Sequence, residues 1–374
     1  MKKILATAAA LFLLATSLAA FDWGGIISNT TKPYSSDFSS VSFYQTNGIS
    51  FWVGQAFNKN LRFTTEALYK YELYNVNKTS SLINVTDLSL LKLSGSWTLG
   101  TGNLSVNAGR FSYSDLSSAV FSQNSDGLSL AYQTNTFKIG AYAGYTGLLN
   151  SLTVSMIDVN PDVTNKEFYK LCPAYIPLIA DFSLINLAGT NISLQAEYFL
   201  ASADYLKNKF YADLAVNGNI GSLFGYNLSA VLGSEDFKNF MLYGKGTAYI
   251  YLNNNFIVSA AGEYYSGNNG SLVPFRAITS KTIYNGVGAL SSGLILPQAS
   301  VLFVYNGMVI SLGEKVVISM PSDEAKLAGF DTSLNFIYNV LSDLQVACSV
   351  IAYSDINVTS ASNYAFVLNL SMAF

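Results

Sequence analysis

The chain has 374 residues, of which 50% are apolar and only 11% charged, with a mean hydropathy of +0.30. That charge content is less than half of what a soluble domain carries, yet beyond the N-terminus no apolar run of 18 or more residues could cross a bilayer as a helix. The 25 Tyr and 24 Phe exclude disorder, and the absence of His removes the usual general base, nucleophile partner and transition-metal ligand. A net charge of −3 offers no basic patch for nucleic acid. A chain hydrophobic on average but never for long has the arithmetic of a transmembrane β-barrel.

The first twenty residues, MKKILATAAALFLLATSLAA, read as a signal peptide: Lys2 and Lys3, an apolar stretch from Ile4 to Leu18, then small residues. Ser17-Leu18-Ala19 fits the cleavage pattern, with Ala20 as the alternative, so residues 21–374 are expected to form the barrel. The other reading, a retained anchor, requires a longer apolar run.

From there on, apolar and polar residues alternate in blocks of about ten. In Leu61–Leu73 one side carries Leu61, Phe63, Tyr69 and Leu73, and the other Arg62, Glu66, Lys70 and Glu72. A strand puts those charges on one side, whereas a helix scatters them. Phe137–Tyr145, Leu194–Leu200, Phe210–Val216 and Phe330–Val340 repeat the split. Short Asn-, Gly- and Asp-rich turns, such as Asn58–Asn60, Asn253–Asn255 and Asn306-Gly307, alternate with longer stretches. The long ones include Asn75–Thr86, Ser112–Asp126, Gly147–Ala174 and Ser266–Ala299. Such alternation is expected of a barrel with short periplasmic turns and longer extracellular loops. The strand count is sixteen to eighteen, eighteen if Phe21–Ser28 is the first strand. Alternatively Phe21–Ser35 folds back as a plug.

At the other end, Phe366, Leu368, Leu370, Met372 and Phe374 alternate with Val367, Asn369, Ser371 and Ala373. A terminal alternating strand closing on Phe resembles the C-terminal insertion signal of bacterial outer-membrane barrels of the porin type. The run from Ala108-Gly109-Arg110 to Asp126-Gly127-Leu128 is similar to a strand–loop–strand segment of porin-type families. The resemblance implies that the last strand is read by the barrel-insertion machinery and closes against the first. It also implies residence in the outer membrane of a two-membrane envelope, contact with its lipid, and an inward-folded loop constricting the pore.

Barrels of this size leave room for an aqueous channel, and lumen side chains set what passes. The alternation assigns Arg62, Glu66, Lys70, Glu72, Lys92, Lys138, Glu197, Asp213, Lys245 and Glu263 to the lumen. Arg62, Glu66 and Lys70 are spaced by four residues, roughly 13 Å at strand rise, so an eyelet needs cross-strand partners. Tyr249 and Tyr251 share a face with Lys245, as part of an aromatic slide or of an interfacial girdle. Arg110 has the wrong parity for the lumen: either Gly109 makes a bulge or Arg110 has left the membrane. Gly147–Ala174, with Asp158, Asp162, Lys166, Glu167 and Lys170, is the candidate constriction loop. Cys172 and Cys348 are two free thiols or one disulfide.

The expectation is a passive channel for small hydrophilic solutes, with no catalytic, cofactor or metal site and no nucleic-acid partner. A surface binding or adhesion barrel and a plugged transporter for hydrophobic compounds are the other readings. A homotrimer stays open, because an apolar exterior serves lipid and subunit contact alike.

Overall fold

The computed structural model describes residues 21–76, 79–146, 156–158, 175–279, 281–322 and 324–374. The expected signal peptide, residues 1–20, and Cys172 lie outside them. The strands, in chain order, are β1 (Phe21–Ser35), β2 (Ser42–Asn58), β3 (Leu61–Val76), β4 (Thr79–Leu99), β5 (Gly102–Ser114) and β6 (Ser122–Gln133). They continue as β7 (Phe137–Tyr145), β8 (Tyr175–Leu187), β9 (Thr190–Ala201), β10 (Lys209–Ile220), β11 (Phe224–Glu235) and β12 (Asn239–Asn253). The last six are β13 (Phe256–Tyr265), β14 (Leu294–Tyr305), β15 (Met308–Ser319), β16 (Lys326–Asn339), β17 (Leu344–Asp355) and β18 (Asn363–Ala373).

Each strand pairs antiparallel with its sequence neighbours, and β1 also pairs with β18, so the 18-stranded sheet is a closed up-and-down barrel. Closure leaves the sheet no free edge, which a strand structure in hydrocarbon requires. Phe21–Ser35 is therefore a wall strand held on both sides, with Ile26 opposite Ala373 and Ser50, and the plug reading of this segment is overturned. Phe374 exchanges two backbone hydrogen bonds of 3.0 Å with Gly25, so the ladder runs to the last residue.

The short turns fall where Asn, Gly and Asp place them. At Asn306-Gly307 both central residues have positive φ (45° and 77°), a geometry that matches the twist of the two flanking strands. Several connections read as long are shorter than expected, Ser266–Ala299 among them, where β14 begins at Leu294. Asn75–Thr86 is mostly strand, because β3 runs on to Val76 and β4 starts at Thr79. Ser112–Asp126 keeps only residues 115–121 as a loop, with Arg110 to Ser114 paired against Ser122 to Asp126. Polar residues there extend the strands beyond the apolar stretch, where composition alone resembles a loop.

Residues facing each other across the ladder share a side, so register carries one face around the whole barrel. The outer face shows Leu194 beside Leu214 and Phe182, and Phe366, Leu370, Met372 and Phe374, all exposed. Polar pairs interrupt it, among them Asn29 donating to Asn47 at 2.8 Å, Tyr69 donating to Asn84 at 2.9 Å and Thr332 donating to Glu314 at 2.5 Å. The inner face holds most of the buried strand residues and nearly all the strand charges.

Candidate functional site: the lumen and its constriction

Register places Arg62, Glu66, Lys70, Glu72, Lys92, Lys138, Glu197, Asp213, Lys245 and Glu263 all on the inner face. Several meet a partner. Lys245 stands opposite Glu263 on the neighbouring strand, 2.9 Å from its carboxylate, which also accepts from Tyr265 at 2.9 Å. Lys138 reaches Asp181 at 3.4 Å. Lys70 pairs with Glu72, two residues along its own strand, at 2.7 Å. Arg62 pairs with Asp22 at 3.1 Å near the short-turn end, with both side chains more than half exposed. Glu66 accepts from Ser89 at 2.8 Å, and Lys92 faces Thr64 and Gly109. Four-residue neighbours on one strand do not pair, as their separation requires.

Arg110 is buried, 1% exposed, with its guanidinium 3.6 Å from Asp87. Gly109 has φ +110°, a region that side-chain-bearing residues avoid. β4 carries an irregularity between Leu88 and Leu90, close to the same level. The β5–β6 register runs unbroken through Gly109 and Arg110, so the strand is distorted without inserting a residue. Arg110 remains within the wall.

Two loops from the long-connection end fold into the barrel. The β5–β6 loop, residues 115–121, is tied down by Asp115, whose carboxylate accepts from the Phe121 N–H at 2.7 Å and the Ser117 N–H at 3.0 Å. Its Leu116 N–H donates to Gln195 Oε1 on β9 at 2.9 Å. The β13–β14 loop crosses the interior. The Ile278 and Thr279 N–H groups donate to the Val120 carbonyl, at 2.9 and 3.0 Å. Tyr211 donates from the β10 wall to the Arg276 carbonyl at 2.5 Å. Further along the loop, Lys315 donates to the Ile283 carbonyl at 2.6 Å, and Asn285 donates to both Asp331 oxygens. One loop is thus hydrogen-bonded to β10, β15 and β16.

Aromatic packing seals the junction. Phe121 from one loop meets Phe199 at 5.5 Å between ring centres, and Phe275 from the other meets Tyr243, Tyr265 and Tyr211 at 5.7, 5.8 and 6.5 Å. Both phenylalanines are 2% exposed or less. Against Asn285, β14, β15 and β16 leave a polar cavity of about 290 Å³, lined among others by Gln298, Ser300, Ser311, Lys315 and Asp331. Inside the loop region, Tyr284 has its phenol pushed above the usual value by burial.

From the Gly147–Ala174 segment, Met156, Ile157 and Asp158 are described. Ile157 donates to the Ile278 carbonyl at 3.1 Å, and Asp158 accepts from buried Lys209 at 2.6 Å. Asp162, Lys166, Glu167 and Lys170 lie outside the described residues. Tyr249 and Tyr251 face inward near the short turns, stacked with centres 6.5 Å apart.

The sequence reading did not single out Asp181, Lys209, Lys315, Asp115 or Asp87. Strand parity held the signal for Asp181, which lies between Ile179 and Ser183 on an alternating strand, and for Lys209, which shares its side with Tyr211 and Asp213. For Asp115 no periodic signal existed. The structure brings Asp115 to Glu197 and Asp213, with carboxylate oxygens within 4.8 Å of one another. Two unit charges at that distance repel by about 3.5 kcal/mol at an effective dielectric of about 20.

No family model matches the chain, and no curated protein does. Solved structures do match in fold. Pseudomonas aeruginosa OccK11 (OpdR) superposes with a TM-score of 0.61 at 13% identity, covering 95% of this chain and 96% of that one. Acinetobacter baumannii OccAB4 gives 0.62 at 10% identity, covering 96% and 99%. Pseudomonas aeruginosa OpdK, in a structure with vanillate, gives 0.61 at 11% identity, covering 94% and 98%. Another OpdK structure, with a TM-score of 0.60 at 11% identity, is described as that of an outer membrane protein.

Proposed function

We propose that this chain is an outer-membrane channel through which small hydrophilic solutes diffuse passively, with selectivity set by the inward loops and the charges around them. One observation carries the reading: a closed barrel apolar outside and polar inside, whose interior is narrowed by its own loops. The outer face fits hydrocarbon, since the sheet closes without a free edge and the exposed side chains are largely Leu, Ile and Phe. The inner face offers Ser, Asn, Lys and carboxylate groups that replace water around a polar solute. The likeness to structures such as OpdK is in fold, and it supports the same placement.

Transport here is movement down a gradient and makes or breaks no bond. Eight of the ten inner-face charges named above serve as pore lining, while Glu197 and Asp213 are buried beside Asp115 of the β5–β6 loop. Outer-membrane lipid is the surrounding partner, and β18, which alternates to its final Phe, is the segment for the insertion machinery to read. Burial of Phe121, Phe275 and Tyr284 against the barrel wall disfavours the surface-display reading, which needs loops that project outward.

The test is single-channel recording of the refolded chain, residues 21–374, in a planar bilayer with potassium chloride. Discrete conductance steps smaller than those of a variant lacking the β13–β14 loop are expected. A folded, heat-modifiable barrel that conducts nothing, with or without that loop, overturns the proposal.

A further inference from the structure

We infer that Asp115, Glu197 and Asp213 form a binding site for one hard divalent cation of the calcium class, which fastens the β5–β6 loop to the barrel wall. The three side chains are 3%, 1% and 2% exposed. Glu197 and Asp213 are diagonal neighbours on the inner face, because Glu197 stands opposite Tyr211 and Gln195 opposite Asp213. Asp115 comes from the loop, and the three carboxylates converge to within 4.8 Å.

A second observation points to a ligand. Both carboxylate oxygens of Glu197, which is 1% exposed, are buried with no hydrogen-bond partner among the described residues. The inner wall is not short of cations, but the nearby ones are engaged elsewhere: Arg110 with Asp87, Lys138 with Asp181, Lys209 with Asp158 and Lys245 with Glu263. Every other inner-wall carboxylate in those pairs has its own base, and this trio has none among the described residues. Buried charges without a partner are too costly to keep. A small cation taking carboxylate oxygens from several chain segments is the partner that fits so enclosed a space, and hard divalent ions bind such all-oxygen sets. An organic ammonium needs more room than side chains this buried leave. Gln195, which accepts from Leu116 directly beside the trio, already fastens the same loop, so the ion adds a second clamp at one place.

The experiment uses the full barrel, refolded in detergent free of lipopolysaccharide and stripped with chelator, with terbium(III) and calcium as the probes. Excitation of nearby tyrosines, Tyr211 among them, is expected to sensitise one saturable terbium site per chain, displaced by calcium. Glu197→Gln and Asp213→Asn should each weaken binding at least tenfold while heat-modifiable migration shows them folded. Glu324→Gln, on an exposed loop, should leave it unchanged. Absence of saturable uptake by the folded wild type between pH 7 and 8, or affinity unmoved in both folded variants, overturns the site. Should the variants not fold, hydrogen exchange of the Leu116–Phe121 amides in the wild type decides. At least tenfold faster exchange after chelation supports the clamp, and equal exchange refutes it. Uptake is read on the barrel in detergent, so a silent bilayer recording would leave this inference standing.

Discussion

The two ends of the lumen are built from the same alternating strands but differ in kind. At the short-turn end, beside the exposed Arg62–Asp22 pair, the inner face carries neutral hydrogen bonds: Asn191 to Asn217 at 3.1 Å, Ser259 to Ser300 at 2.7 Å, Asn335 to Ser311 at 3.2 Å and Thr30 to Asn369 at 2.6 Å. These groups satisfy one another on a wall facing open space, and any of them can turn to a passing solute. Toward the long-loop end the same face carries buried ion pairs and rings packed against loops, where removing one group strands another. Where the barrel needs an unobstructed wall, exchangeable neutral groups suffice. Where a loop must stay in place, the chain uses charge and aromatic area.

Perturbing each end should separate them. The largest effect is expected from replacing residues 267–292 with an Asn-Gly turn, which removes Phe275, Ile278 and Asn285 from the interior. Single-channel conductance should rise several-fold, and an unchanged value would mean that the passage is limited elsewhere. Next, Arg110→Met leaves Asp87 buried and unpaired, and removing one partner of a buried pair costs about 3–5 kcal/mol. The matching change at the other end, Arg62→Met, breaks a pair that is more than half exposed and should cost about 0–1 kcal/mol. Urea titration of the two variants in lipid vesicles compares them directly, and equal losses would erase the distinction. Smaller still, Ser300→Ala removes one neutral hydrogen bond from the open wall, for about 0.5–1.5 kcal/mol. Its conductance should match the wild type, in contrast to the loop replacement.

Period two made the barrel legible because it is local: Arg62, Lys70 and Glu72 declare their side within a single strand. The eighteen-strand count followed once Phe21–Ser28 was read as a strand, and pairing of Ile26 with both Ala373 and Ser50 bears that out. The constriction was less legible. Asp115 sits in a short Asp-Leu-Ser-Ser-Ala-Val-Phe stretch with no period, and its partners Glu197 and Asp213 lie on strands far along the chain. Nothing local says that the loop turns inward, because that depends on Gln195 and Phe199 on β9, three strands along the wall from β6. The burial of Arg110 was equally hidden, since it depends on the conformation of Gly109 and an irregularity on β4.

The seam between β1 and β18 has a consequence for how the chain becomes a barrel. Thr30 and Asn369, joined there by a side-chain hydrogen bond, are 339 residues apart, and Phe374 itself completes the ladder with Gly25. A nascent or truncated chain therefore presents two raw sheet edges, each able to pair with a stranger. Contacts so distant in sequence are slow to form. The interval between synthesis and closure is when this protein is most prone to aggregate, and pairing of β18 with β1 ends it.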